Sequence, residues 1–149
     1  MEWKLDQQLC FLLYANSRNI IRMYKEILDP YGLTYTQYIT MITLWENDHQ
    51  TVSDLGNHLS LDSGTLTPLL KKLEKDGRII RNRDQNDERK VVVSLTEEGK
   101  KLSIDAKKIP YELVKCVDMP ESDLYNLFNL LTKLHKQNKT CQMIGNKDE

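Results

Sequence analysis

The chain has 149 residues, enough for one domain with its own core and an extension that packs on a partner. Hydrophobic residues make up 40% and charged residues 29%, a balance that excludes both a disordered chain and a membrane-embedded one. The net charge is −1, so a nucleic-acid partner would have to be met by positive charge concentrated locally.

From Leu5 to Leu28 apolar residues recur with helical period: Leu5, Leu9, Leu12 and Leu13, then Ile20, Tyr24, Ile27 and Leu28. Asp29-Pro30-Tyr31-Gly32 ends this long amphipathic helix. Thr34 with Gln37 forms a capping box for a second helix carrying Ile39, Met41, Ile42, Leu44 and Trp45. Asn47 to Gln50 reads as polar loop, and Thr51-x-x-Asp54 caps a short third helix with Val52, Leu55 and Leu59 inward. In LDSGTLTPLLKKLEKDG, Leu66, Leu69, Leu70 and Leu73 share one face, and Gly77 suits the residue after a helix end. Pro68 prefers a first helical turn, so this fourth helix starts at either Asp62 or Thr67. Residues 78–83 and 91–95 are short β-branched runs joined by DQNDERK, a hairpin with a long tip. Thr96 caps a helix with Leu102, Ala106, Ile109, Leu113 and Val117 in a stripe and a bend expected at Pro110. Met119-Pro120 breaks it, and a last helix carries Leu124, Leu127, Phe128, Leu131 and Leu134. From about Lys136 the apolar period is lost, and residues 141–149 read as a flexible tail.

The expected fold is mainly α: a winged helix-turn-helix over 35–96, with N- and C-terminal helices (1–34 and 97–140) forming a helical dimerisation region. No apolar run approaches the roughly 18–20 residues of a bilayer span, so no membrane partner is expected. MEWKLDQQLC lacks the parts of a signal peptide, which points to a cytoplasmic protein. Cys10, Cys116 and Cys141 are odd in number and widely spaced, unlike a secreted disulfide framework. They do not cluster with His49, His58 or His135 at ligand spacing, so neither a metal nor a cofactor is expected. The three histidines read as surface or interface groups, and Trp3 and Trp45 as packing residues.

Two short helices joined by a tight turn suit insertion of the second into the major groove of double-stranded DNA. Its leading polar residues are Asp62, Ser63, Thr65 and Thr67. Lys71, Lys72, Lys75, Arg78, Arg81 and Arg83 then meet only Glu74 and Asp76, a local charge of +4 in a chain of −1. Phosphate attraction requires such concentration. The hairpin tip adds Arg89 and Lys90, and an Arg on a wing can enter a narrow minor groove. Asp87, two residues earlier, is placed to hold the Arg89 guanidinium. The charges alone favour a solvated basic face; the order helix-turn-helix-plus-wing favours DNA.

LDSGTLTPLLKKLEKDG, followed by DERK and VSLTEEG, resembles the MarR family of winged-helix repressors from Leu5 to about Leu134. The resemblance implies a homodimer built by the first and last helices, and a reading helix that starts at Asp62 with Pro68 inside it. It also implies a wing-tip pair at Asp87 and Arg89. QQLCFLLYANSR, with TYTQY, is similar to the oxidant-sensing branch of that family, the OhrR, MgrA and SarZ type. It implies that Cys10 is the thiol that reacts with organic hydroperoxide or a related oxidant. Tyr24 of the other subunit and Tyr35 would hydrogen-bond to that thiol. In two-cysteine members a C-terminal thiol matching Cys116 resolves the oxidised form across the dimer; Cys141 is incidental in that reading, although a flexible tail could deliver its thiol instead. The chemistry is consistent: a sensing thiol must be partly thiolate and reachable, and peroxide turns it to a sulfenic acid that a second thiol captures. A buried, inert Cys10 is the bland alternative, and Tyr14 is only its helical neighbour at i+4.

These readings converge on a repressor that binds a pseudo-palindromic operator when reduced and releases it when Cys10 is oxidised. The alternative is a ligand-responsive repressor of the same family that binds small phenolic compounds and needs no reactive Cys. A thiol peroxidase is disfavoured, since neither an Arg-supported Cys motif nor a redox-fold strand pattern surrounds Cys10, so no enzyme is expected. A winged helix that binds protein instead would show no salt-dependent affinity for duplex DNA.

Overall fold

The structure, a computed structural model, describes residues 3–145, with side chains through residue 138. The chain up to Val114 forms one compact unit and the chain from Lys115 a second.

In the first unit a 3-10 turn, Leu5–Gln7, precedes α1, Leu9–Leu28. The long helix expected from Leu5 thus begins at Leu9, because residues 5–7 close tighter i→i+3 bonds. A second 3-10 turn, Asp29–Tyr31, ends at Gly32 with φ 60°, a conformation that glycine adopts without strain. α2, Tyr35–Glu46, opens on the complete capping box: the Thr34 hydroxyl accepts from Gln37 N, and Gln37 Oε1 accepts from Thr34 N at 2.9 Å. Then come β1 (Gln50–Thr51), α3 (Val52–Leu59), α4 (Ser63–Lys75), β2 (Ile79–Arg83), β3 (Val91–Leu95) and α5 (Glu97–Ala106).

The strands form an antiparallel sheet in the order β1-β3-β2, with Arg81 opposite Val93 and Gln50 also opposite Val93 on the other side. β1 was expected to be loop. Gln50 is buried instead, its amide donating to the Thr43 and Asn47 carbonyls while its oxygen meets His58 Nδ1 at 2.9 Å. His58 is therefore a structural partner of Gln50. Asp48 does similar work, accepting from Leu95 N at 2.9 Å.

The core joins Leu28, Met41, Leu44, Leu55, Leu66, Leu70, Leu73, Ile79 and Val93, all fully buried. Truncating one such leucine costs about 2–5 kcal/mol. Trp45 packs beside this core and its indole donates to the Gly99 carbonyl at 2.9 Å, while Trp3, expected to pack, is exposed. Thr96 caps α5 and its hydroxyl also donates to Gly77 O, pinning the end of α4 to the start of α5.

The expected bend at Pro110 falls earlier. α5 ends at Ala106, and α6, Ile109–Cys116, carries Pro110 in its first turn, where the missing N–H costs no helical bond. In the second unit α7 spans Glu121–Gly145, past Lys136 where the apolar period fades, so residues 141–145 are helical rather than a tail. Residues 146–149 of that expected tail lie outside the described residues. Among the described residues no helix is long and apolar enough to cross a membrane.

Candidate nucleic-acid interface and thiol site

α4 starts early. Asp62 is its N-cap, accepting from Thr65 N and from the Thr65 hydroxyl, both at 2.9 Å. The Thr65 hydrogen bonds hold the Asp62 carboxyl below its ordinary value. Asp62 therefore supports the helix from its end and draws Thr65 into the same motif. Pro68 sits inside α4, where it forfeits its bond to the Gly64 carbonyl; Gly64 is exposed, so solvent can satisfy that group. The choice between Asp62 and Thr67 is thus settled by a strong cap and by four buried leucines over the local preference of one proline. Ser63, Thr67, Lys71, Lys72 and Lys75 are exposed along α4. α4 ends as expected: Gly77 has φ 72°, its N–H reaches Glu74 O, and Arg78 N–H reaches Leu73 O.

The basic residues divide into two groups. Lys72 Nζ pairs with Asp76 at 2.8 Å, and Arg81 donates to Glu74 through Nε at 3.0 Å and Nη2 at 2.6 Å. Arg78 donates to the Tyr31 carbonyl and is half-buried. Among the described residues no ion pair engages Lys71, Lys75, Arg83 or Arg89. Those four exposed cations are available to an anionic partner.

The wing tip is an ordered turn. Asp84 Oδ1 accepts from Asn86 N at 2.8 Å and Asp87 N at 3.0 Å, and Asp84 N donates to Lys90 O. Asp87 accepts from the Arg89 backbone amide at 3.2 Å and lies 3.7 Å from Lys90 Nζ. The expected Asp87–guanidinium pair is thus replaced by a backbone contact that leaves the Arg89 side chain exposed. Thr67 and Leu70 of α4, Thr51 and Asp54 beside α3, and Arg81, Arg89 and Lys90 of the hairpin line one concavity of about 510 Å³.

Cys10 lies in the first turn of α1 and is exposed; no side chain caps that turn. A negative charge there meets the positive helix end. Tyr24 is on the same helix fourteen residues later, about 21 Å along the axis at the α-helical rise. It packs on Tyr35 with ring centroids 4.9 Å apart and on Tyr38 at 5.8 Å; Tyr38 in turn meets Trp45 edge-on at 6.4 Å. Burial, then the neighbouring Tyr38 and Tyr35, push the Tyr24 phenol up to about 12, and burial raises Tyr35 and Tyr38 as well. All three hydroxyls stay protonated at neutral pH. Tyr38 was missed by sequence reading, although its i+3 spacing from Tyr35 places it on the same face. Tyr14 is engaged by Arg18, which donates to its hydroxyl at 2.9 Å and lies over its ring. A second concavity, about 520 Å³, is lined by Arg18, Ile21, Arg22, Lys25 and Tyr35 among others.

Cys116 ends α6 and is exposed. Cys141 lies in α7, its side chain outside those described. Among the described residues no group of His, Cys, Asp and Glu gathers to hold a metal ion.

Comparison with known proteins places this geometry. The family model of the transcriptional regulator SarA/Rot matches residues 22–106. The chain is 45% identical over 139 residues to the organic hydroperoxide resistance transcriptional regulator of Bacillus subtilis, covering 91% of this chain and 95% of that one. Among solved structures it is similar to reduced AbfR bound to DNA, at 34% identity and a TM-score of 0.76, covering 91% and 92% of the two chains. It is similar also to the disulfide-formed state of AbfR, a protein of Staphylococcus epidermidis, at 34% identity, a TM-score of 0.62 and 91% and 90% coverage.

Proposed function

The chain belongs to the SarA/Rot family of transcriptional regulators, MarR-like winged helices, and from that premise we propose a redox-switched repressor that senses organic hydroperoxide through Cys10. The observation that carries the reading is the exposed thiol in the first turn of α1, in a chain whose relative is named for organic hydroperoxide resistance.

The reduced protein works in the cytoplasm as a homodimer on a pseudo-palindromic operator. α4 enters the major groove with Ser63 and Thr67 toward base edges, Lys71 meets phosphates, and Arg83, Arg89 and Lys90 follow the backbone or the minor groove. Asp62 acts through the cap that aims α4, and Asp87 through the backbone of the wing. A second copy also answers two features of the single chain. α1 leaves Leu9, Leu12, Leu13, Ile20 and Ile21 exposed, and α7 leaves Tyr125, Phe128 and Leu130 exposed, more apolar surface than a monomer keeps in water. The Tyr24–Tyr35 pair is too far along α1 to serve its own Cys10, whereas a copy of α1 running the opposite way brings it to the partner's thiol.

Cys10 thiolate attacks the terminal peroxide oxygen. The O–O bond breaks, sulfur is oxidised to the sulfenic acid, and the hydroperoxide leaves reduced to an alcohol after taking a proton. Tyr24 and Tyr35, firmly protonated, donate hydrogen bonds to the thiolate. Cys116 of the other subunit then attacks the sulfenic sulfur, forming the disulfide and releasing water. The rearranged dimer presents its two reading helices at a different spacing and loses the second half-site. The test is a titration of an operator duplex with reduced and with hydroperoxide-treated protein. Loss of affinity that a thiol reductant restores supports the reading, and equal affinity overturns it.

A second reading is favoured by the concavity lined by Arg18, Arg22, Lys25 and Tyr35, which suits a small phenolic carboxylate. A salicylate-like compound that releases DNA from the Cys10→Ser variant would support that ligand-responsive alternative.

A further inference from the structure

One carboxylate at the end of α4 makes three hydrogen bonds to one residue of the wing. Glu74 Oε2 accepts from Arg81 Nε at 3.0 Å and Nη2 at 2.6 Å, and Glu74 Oε1 accepts from the Arg81 backbone amide at 3.2 Å. Two N–H groups of the guanidinium thus converge on one carboxylate oxygen, a charge-assisted contact that a lysine ammonium could not reproduce. The backbone bond adds to it. β2 is an edge strand, so one row of its N–H groups faces away from β3, and Glu74 takes one of them. Arg81 is three-quarters shielded from solvent, unlike the exposed Lys71, Arg83 and Arg89. It also lines the concavity whose walls are Thr67 and Leu70 of α4 and Arg89 and Lys90 of the wing.

We infer that Glu74 is a positioning residue for DNA binding: it withholds Arg81 from the phosphates and uses it to fix the wing at a set angle to the reading helix. This rests on the proposed DNA-binding role. The physical reason is leverage. The hairpin leaves the core at β2, and the side chains that would reach DNA from it, Arg83 to Lys90, lie beyond Arg81. A hinge at residue 81 that is free to rotate spreads Arg89 over many positions, and ordering it on DNA then costs conformational entropy at each binding event. A clamp made at folding removes that cost beforehand. The interaction is local to α4 and β2 and leaves the buried leucines of α4 untouched, so its loss affects the wing before the fold.

The inference gives Arg81 a role opposite in sign to that of a phosphate contact, and this makes it testable with a double-mutant cycle on an operator duplex at several salt concentrations. Wild-type binding is the reference; if wild type does not bind the duplex, the DNA-binding reading fails, and the clamp is judged only against wild type that binds. Glu74→Gln and Arg81→Gln are each expected to weaken binding about tenfold, and the double variant no more than either alone, because both remove one coupled interaction. Arg81→Lys keeps the charge but not the paired Nε and Nη2 contacts, and is expected to be as weak as Arg81→Gln, with the salt slope of wild type in all four variants. Thermal midpoints near that of wild type separate this from loss of fold. The inference is overturned if Glu74→Gln binds as tightly as wild type or tighter, or if Arg81→Lys restores affinity while Arg81→Gln lowers the salt slope by about one, the signature of a direct phosphate contact.

Discussion

Tyr24 and Tyr35 pack with ring centroids 4.9 Å apart and planes tilted by 43°, and burial keeps both hydroxyls protonated. Tyr24 shares α1 with Cys10 but stands fourteen residues away, so in the proposed dimer the pair serves the partner's thiol. The rings pack whether or not the hydroxyls are present, so the two roles separate. Tyr24→Phe and Tyr35→Phe should fold and bind operator as wild type when reduced, yet form sulfenic acid roughly tenfold more slowly, about the effect of one lost hydrogen bond to a charged sulfur. Trapping the sulfenic acid over time measures this; wild-type rates in both variants would remove the tyrosines from the chemistry.

The same pair has an alkaline signature. The Tyr24 phenol is raised from 10.0 in the unfolded chain to about 12 in the fold. A group raised in this direction contributes stability that is fully present below about pH 10 and is lost as pH rises through about 12. Denaturation midpoints should therefore fall across that window, and fall less steeply in Tyr24→Phe. An identical slope in the variant would show that Tyr24 is not held in this environment.

Gly99→Ala should destabilise the fold by roughly 1–3 kcal/mol or more. A Cβ at this position would overlap the Arg78 carbonyl oxygen, which also accepts from Thr96 N at 3.1 Å. That oxygen is backbone and cannot swing aside. Chemical denaturation followed by the fluorescence of Trp45, whose indole is bonded to Gly99 O, reports on the site directly.

Much of this fold was legible locally. Thr34 with Gln37, Thr51 with Asp54, Thr96 and Gly77 each marked an end that the structure forms, because caps are made by neighbours in sequence. What escaped was made by distance. β1 is two residues whose strand character comes from β3, with no apolar alternation of its own. Pro68 suggested a helix start that the Asp62 cap and the buried leucines override. At the site, Ser63, Thr67, Lys71, Arg83, Arg89 and Cys10 are exposed, which the proposed contacts and chemistry require. The diversion of Asp62 into a cap and of Lys72 into an i, i+4 pair with Asp76 follows local rules that residue type and spacing carry, whereas the diversion of Arg81 into the Glu74 clamp does not show in residue type. Glu74 and Arg81 are seven apart across a helix end and a turn, outside the i, i+4 spacing that flags ion pairs.

The split among cations predicts unequal salt effects. Arg89→Ala should weaken operator binding and lower the salt slope by about one, while the dimer stays folded. Lys71→Ala should do likewise, and Lys72→Ala less, since Lys72 is already neutralised by Asp76 at 2.8 Å. Titrations at four or five salt concentrations give the slopes; equal losses at positions 71 and 72 would contradict the division.

Oxidised wild type should give a reducible dimer band joining Cys10 of one chain to Cys116 of the other. A disulfide needs Cα atoms within about 4.4–6.8 Å, so any longer reduced separation must close on oxidation. Cys116→Ser should lose the band and overoxidise more readily, whereas Cys141→Ser should behave as wild type. Peptide mapping that joins Cys10 to Cys141 would reassign the resolving thiol.

The most direct measurement is an operator-binding titration of wild type and Cys10→Ser, each reduced and each treated with organic hydroperoxide. Serine keeps the shape of the side chain but cannot form a sulfenic acid. The account predicts equal affinity for both proteins when reduced, release of wild type by hydroperoxide with recovery on adding a thiol reductant, and no response from Cys10→Ser. Release of Cys10→Ser by hydroperoxide as readily as wild type would contradict it.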